Sequence, residues 1–262
     1  HLARLGELDG DGLIDENVLS VLVTEKSGVF VFPAAETPPL NFRLDGTFSG
    51  RPGRTGQGPG EYLWPTGGVA LTDGNVLILD PDQVRASVLD SDLRFVTSYP
   101  IPGALEGGMD FGEEGIVFHG SIPSRDRFGH PFHLWTPDSG VLRSFGLPGE
   151  PVLRPSQLVR RVWPSESGGF WAIPKLQYRI EEWDLSGELR QIITREVDWF
   201  PEMSKAFSGN ANEPPWPRVK TIKQDSEGLL WIVAWVPSNH WKQAWRNVRV
   251  RGSHVVGSGP SF

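Results

Sequence analysis

The chain has no cysteine, which excludes disulfide bridges, thiolate metal sites and thiol nucleophiles. It also lacks a long apolar run. The longest, Leu229 to Val236, spans eight residues, whereas a helix needs ~20 to cross a bilayer. With 31 Gly and 23 Pro among 262 residues, long uninterrupted helices are excluded as the main architecture, because these are the two worst residues in a helix interior. No Gly-x-Ser-x-Gly elbow of the hydrolase type is present. Positive charge is in short supply as well. Lys and Arg number 25 against 32 Asp and Glu, a net charge of −7, which makes a nucleic-acid partner a poor expectation.

What is present is turn chemistry, tryptophan and uneven charge. Eleven Trp are spread over the chain. Residues 1–150 carry 10 Lys and Arg against 21 Asp and Glu, and residues 151–262 carry 15 against 11. This dipolar layout suits either oriented docking on a protein or membrane surface or chance scatter across a solvated surface. The lack of cysteine fits either a reducing compartment or a bacterial cell envelope. The start at His1 and the ending GSHVVGSGPSF lead to the expectation that either a targeting segment was removed or the start was trimmed, and that more chain follows.

A short pattern recurs: a polar residue, a glycine, then an apolar run. It occurs around Gly28, Gly74, Gly115, Gly168 and Gly228, at spacings of 46, 41, 53 and 60 residues. A second turn follows in the first four units, at Asp45-Gly46, Ser91-Asp92, Ser139-Gly140 and Ser186-Gly187. Each unit therefore reads as four short strands joined by tight turns, since Gly accepts positive φ at no steric cost. In the second unit the expected strands are 68–71, 76–80, 84–89 and 95–99. Four antiparallel strands repeated every ~40–50 residues are the pattern of a β-propeller blade. The fold class expected is all-β, a single propeller domain with about five readable repeats. Leu2–Gly6 is a candidate closing strand, and residues 123–133, 199–217 and 237–249 read as insertions.

The glycine-rich stretch Gly53-Arg-Thr-Gly-Gln-Gly-Pro-Gly-Glu61 could in principle cradle phosphate. It lacks the terminal Lys-Ser/Thr, and Pro59 and Pro65 oppose a following helix. It reads instead as a connector between blades. The run GRTGQGPGEYLWPTGGVALTDGNVLILD resembles the blade junction of bacterial six-bladed β-propeller proteins related to NHL-repeat propellers. IKQDSEGLLWIVAW is similar to a propeller strand motif of bacterial sensor ectodomains. The resemblance implies six blades when complete, export from the cytoplasm and no known catalysis.

Candidate chemistry is sparse. Glu7, Asp9, Asp11 and Asp15 partly match a calcium loop, but its twelfth position holds Val18 in place of the bidentate Glu. A solvated acidic turn is the favoured alternative, and no cofactor is expected. His130 and His133 flank a proline without a completing acid, and His119 reads as packing. Glu113-Glu114 and Glu181-Glu182 would point to opposite faces of a strand, a poor acid–base arrangement. Trp171, Trp183 and Trp231 read as inter-blade core. Trp199, Phe200, Trp216, Trp241, Trp245 and Arg246 lie in irregular sequence and are interaction candidates. Trp241 and Trp245 would share a face of a short helical turn capped by Ser238. Docking anchors and covers folded over the propeller are both open readings of these Trp.

The functional expectation is a non-catalytic scaffold that binds protein partners and does not itself span the membrane. The setting considered is extracytoplasmic, peripheral to a bacterial membrane complex such as a photosynthetic or respiratory assembly. The alternatives are a pore-metal hydrolase or lactonase, and a sensor that binds a glycan or small ligand.

Overall fold

The computed structural model describes residues 18–123, 129–146, 159–200 and 217–238. All regular structure among them is β, apart from two single-turn 3-10 segments, Pro81–Gln83 and Gly112–Glu114. The first blade runs β1 (Val18–Thr24), β2 (Gly28–Pro33), β3 (Leu40–Phe42) and β4 (Phe48–Gly50). A connector follows with two short strands, β5 (Arg54–Thr55) and β6 (Glu61–Tyr62), paired in parallel. The second blade is β7 (Gly67–Ala70), β8 (Val76–Asp80), β9 (Arg85–Leu89) and β10 (Phe95–Pro100). The third is β11 (Ala104–Asp110), β12 (Ile116–Ser121), β13 (Phe132–Thr136) and β14 (Gly140–Phe145). The fourth is β15 (Arg160–Pro164), β16 (Phe170–Pro174), β17 (Arg179–Trp183) and β18 (Leu189–Thr194). A hairpin of β19 (Arg218–Gln224) and β20 (Leu230–Trp235) completes the described chain. Strand neighbours are sequence neighbours in every sheet, so each blade is an antiparallel meander.

Four complete blades and one hairpin account for the five readable repeats. The recurring glycines do what the turns require: Gly28, Gly74, Gly115, Gly168 and Gly228 all have φ between 80° and 106°. The apolar runs in β2, β8, β12 and β16 lack alternation because these second strands are covered on both faces, whereas β20 alternates. In β8, Val76 and Ile78 pack with Phe30, Phe32 and Tyr62, while Leu77 and Leu79 pack with Leu105, Phe118 and Trp135. Each such side chain contributes roughly 1.5–3 kcal/mol of burial.

The chain divides into two compact units. The first comprises residues 1–160 with 185–188, and the second comprises 161–184 with 189–262. In the first, β7 packs between β1 and β11, so the leading strands of three successive blades lie side by side. This is blade-on-blade packing of propeller type. In the second, β16 packs on β19, and the core gathers Trp171, Ile173, Ile180, Val219 and Ile222.

Three expectations are corrected. Trp171 and Trp183 are buried, but Trp231 is 61% exposed. Its indole donates to Asp225 Oδ2 at 2.6 Å instead of entering a core. Glu113 and Glu114 occupy the 3-10 turn at Gly112–Glu114 and so do not sit on a strand. The insertion expected at 123–133 overreaches, since Phe132 and His133 belong to β13 and are fully buried. Leu2–Gly6 lies outside the described residues.

Candidate functional site

The glycine-rich connector is held by its carbonyls. Arg85 Nη2 donates to the carbonyls of Gly58 at 3.0 Å and Glu61 at 2.7 Å, and Nη1 donates to Gln57 at 3.2 Å. Gln83 Nε2 donates to the carbonyls of Gly56 and Glu61 at 3.1 and 3.0 Å. The buried carboxylate of Asp80 accepts from the Leu63 and Trp64 amides and from Gln83. A phosphate loop has the opposite polarity, with amides facing the ligand. Here the Gly58 amide is taken by Glu61, whose carboxyl is held below its ordinary value by that bond and by Arg54. Gly53 has φ of 87°, and a Cβ there would meet the Gly60 carbonyl and the Tyr62 ring. The stretch is a structural connector. Tyr62, fully buried, seats it between the first two blades, and burial pushes its hydroxyl far up so that it stays neutral. The sequence reading missed Asp80, Gln83 and Arg85. Their signal was the polar DPDQVR run directly after an apolar strand.

The histidines do not assemble a centre. Phe118 pairs with His133 and His119 with Phe132 across β12 and β13. His119 and His133 therefore point to opposite faces of the sheet. His133 Nδ1 lies 2.8 Å from Ser144 Oγ, and the His119 ring fills the space left by Gly107, where a Cβ would sit 2.9 Å from Nε2. Among the described residues no three of His, Asp or Glu are grouped to hold a metal. Glu7, Asp9, Asp11 and Asp15 lie outside the described residues.

Glu181 and Glu182 face opposite sides of β17, as expected. Glu181 takes Arg179 at 3.1 Å and the Trp183 indole at 3.0 Å. Glu182 accepts from Ser165 and Ser167 hydroxyls at 2.5 and 2.7 Å and from Gln191 at 2.8 Å. Burial by itself raises the Glu182 pKa, but these three donors outweigh it and hold the carboxyl below its ordinary value. Glu182 ties the turn before β16 and β18 to β17, whereas Glu181 is held by partners on its own strand.

The aromatic candidates divide at the start of the 199–217 segment. Phe200 is buried and belongs to the second unit's core with Trp171, Ile173 and Val219, so it is not a surface anchor. Trp199 is 43% exposed. Its ring stands edge-on to Tyr178 at 5.3 Å and to Phe200 at 5.8 Å. Tyr178 follows β16, and the Lys175 carbonyl beside it accepts from the Val219 amide at 3.0 Å, so the entry to β19 lies at this same end. The result is an exposed indole held in place by two aromatic neighbours. Trp216, Trp241, Trp245 and Arg246 lie outside the described residues. No helix among the described residues is long and apolar enough to cross a membrane.

No family model and no curated protein matches the chain. Solved structures do. A Bacteroides fragilis protein described as exported aligns at TM-score 0.57 and 16% identity, over 72% of this chain and 53% of that one. Virginiamycin B lyase from Staphylococcus aureus aligns at TM-score 0.50 and 15% identity, over 84% of this chain and 64% of the lyase. A catalytically inactive form of that lyase with quinupristin gives 0.52 and 12%, over 90% and 74%. The chain thus spans about half of the B. fragilis protein and under two thirds of the lyase in the first alignment. At these identities the likeness concerns architecture, and it agrees with the blades described above: the chain is an all-β protein of propeller type.

Proposed function

We propose that this protein is a non-catalytic docking module, with Trp199 as an anchor for a protein partner. The observation behind this reading is the exposed Trp199 indole, fixed by Tyr178 and Phe200 beside the second unit's core. A large aromatic ordered before binding loses little conformational freedom on association, and Trp is among the residues enriched at interface hot spots. Trp199 stands on the connecting segment after β18, and binding residues commonly sit on such segments. The proposed setting is extracytoplasmic, a reading supported by the description of the B. fragilis protein as exported.

Affinity capture from native membranes tests the reading. Wild-type chain retains a defined protein, and Trp199→Ala loses it by tenfold or more, given the ~2 kcal/mol of an interface hot spot. Unchanged capture by Trp199→Ala would refute the anchor. Retention on glycan resins that depends on Trp199 would favour the sensor alternative.

A further inference from the structure

The Trp199 indole stands on a tight turn. The Phe200 amide donates to the Val197 carbonyl at 3.1 Å, closing a four-residue turn over residues 197–200. Both ends are tied to the second unit's core, Phe200 as a buried member and Val197 packed against it. Asp198 and Trp199 therefore take the two corner positions, and both are exposed. Tyr178 and Phe200 stand edge-on to the indole at 5.3 and 5.8 Å, which orients the ring while 43% of the residue stays open. Glu196, just before the turn, is exposed as well. Among the described residues neither Glu196 nor Asp198 has an ion-pair partner, whereas Glu181 and Asp184 are paired with Arg179 and Arg190. An aromatic face carries negative potential, and a carboxylate on the adjacent residue adds a full charge, so this corner favours a cation. The same unit already sets an ammonium on an indole, with Lys223 Nζ 5.6 Å from the centre of the Trp163 ring.

We infer that the partner presents a basic side chain to this turn, its cation set against the Trp199 ring and paired with Asp198. Glu196 adds attraction at longer range. An arginine suits the corner best, because a planar guanidinium stacks on an indole and bonds a carboxylate at once. This rests on the docking reading of Trp199 and specifies what that residue receives.

Titration of the purified chain with the peptide acetyl-Gly-Arg-Gly-amide and with its glutamine counterpart tests this, with the Trp199 indole N–H followed by NMR. The arginine peptide shifts that resonance saturably, and the glutamine peptide does not. Asp198→Asn weakens the response about threefold, within the range of an exposed ion pair. Asp92→Asn removes an equal charge from another exposed turn and leaves the response unchanged. Equal shifts by the two peptides, or an Asp198→Asn response equal to wild type, would overturn the inference. Capture from native membranes separates it from the docking reading. Loss on Trp199→Ala with full retention by Asp198→Asn and Glu196→Gln keeps the anchor and rejects the basic side chain. Retention by Trp199→Ala rejects the anchor itself.

Discussion

Glu182 shows how a single carboxylate ties a blade together. Its oxygens collect Ser165, Ser167 and Gln191, joining the turn before β16 to β17 and β18. Because its folded pKa lies below the ordinary 4.5, its stabilising contribution is fully present above that pH. It is lost as pH falls through the lower folded value. Glu182→Gln should therefore lower the Tm by about 2–4 °C at pH 7, the equivalent of roughly 1 kcal/mol in a domain of this size. That deficit should close as wild type is acidified through the lowered folded pKa, a comparison calorimetry can make directly; a deficit independent of pH would remove the charge from the explanation. The opposite facing of Glu181 and Glu182 was readable from strand periodicity. The identity of their partners was not, because Ser165 and Gln191 are brought to Glu182 by pairing between strands, which no local pattern encodes.

Elements repeat more faithfully than their surroundings do. Trp171 and Trp231 each stand three residues after a turn glycine and look equivalent in sequence. The Trp171 indole is covered by β19 and donates to Gln224 Oε1 at 3.0 Å. Trp231 sits in the last described strand, and among the described residues no further blade covers it. Local sequence fixes which face a residue joins; burial depends on what lies beyond that face. Trp171→Ala should cost about 3–5 kcal/mol, and Trp231→Ala no more than about 1 kcal/mol, since little area is lost from a core. Paired denaturant titrations decide between this and equal costs. The connector shows the same division. Its glycines and prolines announced a turn-rich link and excluded a helix, but the anchoring residue Arg85 lies on a different strand. Arg85→Ala leaves three carbonyls without their charged donor and should cost about 2–3 kcal/mol. Limited proteolysis should then cut within residues 53–62, and resistance there would show that the anchor is dispensable.

For the whole molecule, the fold and the function were legible to different degrees. Repeat spacing, turn glycines and doubly buried strands identify blades because each blade is a local meander whose pattern is complete in ~40–50 residues. A propeller hosts many unrelated functions, so architecture alone does not choose among them. Irregular aromatics offered candidates, and only packing separates Phe200, which the core claims, from Trp199, which it holds at the surface. The most direct test of the docking account is photo-crosslinking in the native envelope. A photoreactive residue is placed at position 199 and, as control, at Asp92 in the exposed turn between β9 and β10. The account predicts one defined protein adduct from position 199 and none from 92. No adduct at 199, or the same adducts from both positions, would contradict it.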